Sequence, residues 1–515
     1  MKYWGKSVGR LLRLFGWFRF GLYLFCVMLT LNAAGQSRSK TQSVRSGEDT
    51  LRIGIQDAVI IGLENNPTVT IQRIKPEIMQ TYVGEQRAAF DPSVTVSGQR
   101  TTISSLRRLG TAYTPFAYEE ERFDVNAGVT GFLPTGTLLS LTSGMTGSVS
   151  NRYTDQYAGT IGLTVTQSLL QGFGFKSNLI GLRKARLDLD ISNSELQGIA
   201  ENVIADIEQS YWTLYLTDQE VKIQNRSLEL ARQQLIESAE RVKVGRLPEL
   251  ELAAVEAELA VRQSALIDAQ SRYEQARLRF LYLLNPRQDS LWYKTPVPLD
   301  SPFLPTDTLD VIQTHVAISL KCRPDLQQAR LQLAKSQLEV ARTRNGLLPR
   351  LDVFISLGRT AYAESFKEAT PDVTSPYYQA NAGLNFALPV PNRQAQAQNR
   401  RARLDHEQQA LAVANLEKLV QLDVHTTYTE VLRARQQIEA TRITRELQAK
   451  KSDAELEKFR VGKSTNLLVL QTQRDYTASQ LDEARALVTY LNALVELYLT
   501  EGSLLERRGI DNFSE

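Results

Sequence analysis

Cysteine, histidine and methionine are scarce in this chain: 515 residues include two Cys, three His and four Met. Cys26 falls in an N-terminal apolar stretch that is expected to be removed, which leaves Cys322 alone and rules out an internal disulfide in the mature chain. His315, His406 and His425 are isolated, and no CxxC or His-x-x-x-His spacing occurs, so no zinc-type site is expected and the histidines are read as ordinary surface or interface residues. No nucleophile stands in a motif with a base, so the chain is expected to be no enzyme and to need no cofactor. The carboxylates, set along helices beside Lys and Arg, read as solvated faces.

A long hydrophobic run is also missing. The longest, residues 20–31, is shorter than the roughly 20 residues a membrane-spanning helix needs. It follows Lys2, Lys6, Arg10, Arg13 and Arg19 and precedes Ala33-Ala34-Gly35, the order of a secretory signal, with cleavage expected before Gln36. Losing those five positive charges turns 60 basic against 57 acidic residues into 55 against 57. The mature chain therefore lacks the clustered positive charge that phosphate binding requires, and nucleic acid is not an expected partner.

One motif suggests nucleotide chemistry. Gly462-Lys463-Ser464-Thr465 matches the end of a phosphate loop, but the glycine required five positions earlier is Glu457, and the preceding residues are charged and helical in composition. The run needs another explanation.

The chain is written twice. An offset of 217 relates Ala185-Arg186-Leu187 to Ala402-Arg403-Leu404, Tyr211 to Tyr428, Val244-Gly245 to Val461-Gly462, and Tyr273 to Tyr490. Nearer the start of each half the offset is 257, pairing Pro67 with Pro324 and Pro92 with Pro349. About 40 extra residues thus fall between Pro92 and Ala185. Each half reads as a short helix, a helix begun at the proline, extended strands, a very long helix, a glycine turn and a return helix. Along the first long helix Ile207, Leu214, Val221, Leu228, Leu235 and Val242 recur every seven residues, a coiled-coil seam. The second half keeps Val424, Val431, Ile438 and Phe459 but places Arg445 and Ser452 between them.

The segments between helices alternate instead. Tyr378, Ala380, Ala382, Leu384, Phe386, Leu388 and Val390 form one apolar face, as do Phe123, Val125, Ala127 and Val129, and Ile161, Leu163 and Val165. Their lengths suit transmembrane β-strands, although a β-sandwich face alternates equally well. Four to six strands cannot close a barrel, and open edges are not tolerated in lipid, so closure must come from oligomerisation. In the extra 40 residues, Pro134-Thr135-Gly136 can turn a hairpin, expected either to add strands or to form a rim hairpin or flap.

The duplicated order, the openings "ENNP" and "KCRP", the segments "TVTQSLLQGFG" and "LNFALPVPN", and the two Val-Gly turns together resemble the TolC family of outer-membrane efflux and type I secretion channels, from about Leu51 to Leu505. The resemblance implies a mainly α fold with transmembrane β: long coiled-coil-like helices forming an α-barrel tunnel under a β-barrel shared by a homotrimer. It implies an outer-membrane location extending into the periplasm, contact with outer-membrane lipid, and a passive conduit gated at its periplasmic tip. The partners would be a periplasmic adaptor and an inner-membrane transporter. Val244, Gly245, Arg246 and Leu247, with Val461, Gly462, Lys463 and Ser464, would be the adaptor-docking tips. Glu249, Glu251, Leu468, Gln471 and Arg474 would line the periplasmic constriction. Some family members carry aspartates at the positions of Leu468 and Gln471; here only Glu251 could substitute, so weak block by multivalent cations is expected.

The boundaries expected are a signal at 1–35, a flexible segment at 36–50, repeat 1 at 51–290 with β structure near 92–170, a Pro-rich linker at 291–308, repeat 2 at 309–505 with β structure near 350–390, and a tail at 506–515. The competing reading is a periplasmic coiled-coil scaffold or adaptor outside the membrane, which explains the rods but not the paired strand clusters.

Overall fold

The structure is a computed structural model that describes residues 50–108, 114–245, 247–285, 292–302, 309–365, 368–369 and 376–510. The expected signal at 1–35 lies outside the described residues, as does the flexible segment except for Thr50.

Both halves fold alike. Strand β1 (Thr50–Ile53) leads into α1 (Ile55–Asn65) and α2 (Pro67–Ala88); strands β2 (Ser93–Arg107), β3 (Phe116–Leu133), β4 (Thr137–Ser150) and β5 (Gln156–Ser168) follow. A short helix α3 (Phe175–Asn178) precedes the long α4 (Ile180–Lys243), and α5 (Glu249–Leu284) returns along it. After β6 (Thr295–Pro298) the second half runs α6 (Ile312–Cys322), α7 (Pro324–Asn345), β7 (Arg350–Ala363), β8 (Tyr378–Ala387), α8 (Arg393–Arg460), α9 (Asn466–Glu501) and α10 (Leu504–Arg507). The prolines at 67 and 324 sit in the first helical turn, where no N–H is needed, and Asn66 caps α2 by accepting from Thr68 N at 2.9 Å.

Helix α4 has 64 residues and α8 has 68, about 96 and 102 Å at 1.5 Å per residue. Rods of that length find their partners in other rods: α4 packs on α5, α2, α7 and α9, and α8 on α9, α7 and α6. The heptad seam faces inward. Ile207, Leu214, Leu228, Val424, Val431, Ile438 and Phe459 are buried, and Arg445 in the second seam is held 2.6 Å from Glu483 of α9. The main core gathers around Tyr211, Trp212 and Phe280, whose rings meet edge to face at 5.2 and 6.0 Å from Tyr211. The Tyr211 hydroxyl is fixed by Asp300, 3.0 Å away, and Asp300 also accepts from Ile55 N at 2.7 Å, joining the connector to α1 and α4.

The strands form one antiparallel sheet in the order β2-β3-β4-β5-β7-β8, while β1 and β6 pair in parallel. The register places Val125, Leu141, Leu163 and Leu357 on one face, with Asn126, Thr142, Thr160 and Ser356 on the other. Among the described residues, no helix is long and apolar enough to cross a membrane.

Two expectations need correction, and two segments gain detail. His315 is not a surface residue: it is buried and bonded to the fully buried Glu501. Nor are all carboxylates solvated, since Glu201, Glu208, Glu220, Glu258 and Glu501 are buried; Arg262 reaches Glu258 from one helical turn on, but Glu208, Glu220 and Glu258 are also met by arginines that the helical pattern does not bring near. The Pro-rich connector contains β6, because proline is tolerated on a two-stranded ribbon that leaves one edge free of ladder bonds. Within the expected tail, Arg508 forks onto Glu208 at 2.5 and 2.6 Å.

Candidate functional site: the paired helix tips

Helix α8 ends at Arg460 on a glycine with φ of +76°, and α4 ends at Lys243 on one with φ of +70°. Gly462 N donates to Phe459 O at 3.1 Å and Lys463 N to Lys458 O at 2.8 Å, the two bonds of a Schellman cap. Gly245 N repeats the first of them onto Val242 O at 2.9 Å. A Cβ at either glycine would meet nothing within 4 Å, so the left-handed backbone, not crowding, requires glycine there. The Gly-Lys-Ser-Thr run is therefore a helix stop followed by a helix start: Thr465 caps α9, and Ser464 bonds to Glu455 of the preceding helix. That bond, with the Lys458 charge, holds the half-buried Glu455 carboxyl below its usual range. No strand leads into the run and no phosphate cradle is formed.

The two tips are neighbours. The Arg241 guanidinium lies 4.4 Å over the Phe459 ring and donates to Phe459 O at 3.3 Å. One turn away Gln234 donates to Asn466 Oδ1 at 2.8 Å, and Asn466 Nδ2 donates to Ser238 Oγ at 3.2 Å. Around these polar ties stand apolar side chains facing outward: Val244 is 67% exposed, Val461 68%, Leu250 85% and Leu467 63%. Gly245, Gly462 and Lys463 are exposed with them, Leu247 and Ser464 are half-buried, and Arg246 lies outside the described residues.

Of the candidate constriction residues, Glu249, Leu468, Gln471 and Arg474 are exposed, and Glu251 is half-buried with Oε2 lacking a partner. Glu249 and Glu251 sit in the first turn of α5, where the helix dipole favours negative charge. Arg474 Nε is 3.7 Å from Glu258 Oε2, and Glu258 is also bound by Arg262 at 2.8 Å. The sequence reading missed Glu258, Arg262, Arg241 and Asn466. A signal existed for one of them: Val255, Ala269 and Ala276 are buried at heptad spacing, and Arg262 occupies the position between the first two. A second tie lies deeper, where Glu220 of α4 joins Arg272 of α5 and Arg485 of α9.

A duplicated helix-strand-helix chain with a helical tunnel portion and a β domain is the architecture of outer-membrane channels. Residues 61–285 and 317–503 match the sequence model of the family described as Outer membrane efflux protein, and the chain belongs to that family. It is 27% identical over 346 residues to the pyoverdine export outer membrane protein OpmQ of Pseudomonas putida, covering 62% of this chain and 67% of that one. Among solved structures it superposes on the outer-membrane channel OprN with a TM-score of 0.65 at 17% identity, covering 87% and 89% of the two chains. It superposes on CusC with 0.66 at 14% identity, covering 92% and 99%. The protein is an outer-membrane efflux channel component.

Proposed function

We propose that three copies of this chain assemble into one channel that spans the outer membrane and continues through the periplasm as a helical tunnel. In this reading the apolar face of the sheet meets lipid and the opposite face lines the exit. The conduit is passive; an inner-membrane transporter supplies the energy and an adaptor joins it to the tips around Gly245 and Gly462. Opening separates the tip helices, and the ties from Arg241 to Phe459, Arg474 to Glu258 and Arg485 to Glu220 are what such a movement would break.

The observation that supports docking at the tips is the set of four outward apolar side chains, Val244, Leu250, Val461 and Leu467, around two exposed glycine turns. Exposed apolar groups clustered at a polar, charged helix end mark a protein contact. A photo-crosslinking residue at Val461 or Leu467 in the native envelope should capture a periplasmic adaptor, and the detergent-extracted channel should migrate as a trimer. Cross-links only to other copies of this chain would remove the docking reading. OpmQ is named for pyoverdine export, so pyoverdine is the first cargo to assay.

A further inference from the structure

The two halves differ by one hairpin. Strand β2 corresponds to β7 at the offset of 257, and β5 to β8 at the offset of 217. In the second half β7 pairs directly with β8, whereas in the first half β3 and β4 lie between β2 and β5. The insertion runs the full length of the sheet: β3 pairs with β2 from Phe116 to Thr130, and β4 pairs with β5 from Thr137 to Ser148. Its turn is tied in at the helix side. Gly174 N donates to Thr135 O at 3.0 Å, Ser168 N to Gly136 O at 3.1 Å, and Asn178 Nδ2 to Pro134 O at 3.1 Å. A flap would not be laddered on both sides.

The sheet has six strands, so its edges, β2 and β8, run in opposite directions. A second copy can therefore extend it with antiparallel pairing unbroken, and lipid requires that it does. We propose that, in the trimer described above, the inserted hairpin is wall, and that the membrane part closes as an eighteen-stranded barrel with a wide, charge-balanced exit. This inference rests on the channel reading. At about 4.8 Å between strands and about 40° of tilt, eighteen strands give about 36 Å between opposite backbones; twelve, without the hairpin, would give about 24 Å. Barrels of sixteen to eighteen strands leave an aqueous channel.

The lining fits this width. The polar face presents small hydroxyl, amide and glycine groups such as Asn126, Thr142, Gly162 and Ser356. Charges on it balance: Arg122 lies 3.3 Å from Asp124 and Arg350 2.6 Å from Asp352, and toward one end of the strands Arg107 and Glu120 add one charge of each sign. Such an exit admits cargo of either charge and leaves size selection to the helical tunnel.

The test uses the full chain carrying Cys322→Ser and one new cysteine at Val125, Asn126, Leu141, Thr142, Ser356 or Leu357, in native outer membrane, with a polar, membrane-impermeant maleimide. The wall reading expects labelling of N126C, T142C and S356C and protection of V125C, L141C and L357C. Alternation in β7 without alternation in β3 and β4 would place the hairpin outside the wall and overturn this inference while keeping the channel. No alternation in β7 would overturn the channel and the inference together. Width is read separately with polymer-linked maleimides of increasing size on S356C: the full chain should accept larger polymers than a variant lacking 116–150. An equal cut-off in a folded variant would overturn the widening; if that variant does not fold, the labelling pattern decides.

Discussion

Arg485 of α9 places Nη2 2.8 Å from Oε1 of Glu220, a carboxylate buried on α4 whose other oxygen is bound by Arg272 of α5 at 3.1 Å. One acid thus ties together three helices from both halves. Both arginines are about half exposed, so water screens each pair. Arg485→Ala should cost about 1 kcal/mol. The double change Arg272→Ala with Arg485→Ala leaves the buried acid alone and should cost about 3 kcal/mol. Thermal unfolding of the two single variants and the double variant measures this, and simple additivity would show that the carboxylate does not couple the helices.

The tip glycines predict opposite outcomes for one substitution. Gly462→Ala places a side chain at φ of +76° and should destabilise the hairpin by about 1–2 kcal/mol. Gly84→Ala, in the interior of α2 with open space around it, should stabilise by about 0.5–1 kcal/mol. Melting temperatures moving in the same direction would contradict the assigned backbone at 462.

Glu201 supplies a pH prediction. Burial, opposed only by a hydrogen bond from Gln197, pushes its carboxyl up to about 7 from an ordinary 4.5. Between those values the folded chain holds a proton that the unfolded chain has lost, so stability falls as pH rises from about 4.5 and levels off above about 7. Glu201→Gln should therefore raise the melting temperature at pH 8 and change it little at pH 4, with a difference of up to ~3 kcal/mol. The same increment at both pH values would mean that Glu201 is ionised throughout.

The tunnel entrance should be a poor cation trap. Leu468 and Gln471 offer no charge, and Glu251 is the one acid at the matching positions, half-buried. Single-channel current in planar bilayers should show weak block by a trivalent cation, abolished by Glu251→Gln and strengthened by Leu468→Asp with Gln471→Asp. Block of the unaltered channel at micromolar trivalent cation would mean that Glu251 forms an effective ring.

The duplication, the two glycine turns and the strand faces were legible because each depends on local periodicity: seven for the seam, two for the strands, and a glycine where the backbone must turn left-handed. Val125 and Asn126 declare their opposite faces by parity alone. Glu220, Glu258 and Glu501 were misread for the same reason. A carboxylate near an arginine in sequence looks solvated, whereas the arginine that holds Glu208 lies 300 residues away. The fate of the extra hairpin was open because alternating strands suit a wall or a flap equally; what the structure adds is that the hairpin is laddered to β2 and β5.

The sequence by itself determined the repeat, the element order, the place where each long helix stops and which side of each strand is apolar, since these follow from bonds and side chains a few residues apart. Tertiary structure decided the strand order, the pairing of the two tips through Arg241 and Phe459, and the burial of charged ties along the rods. Those depend on contacts between segments separated by hundreds of residues, where helical and strand periods carry no information about the partner.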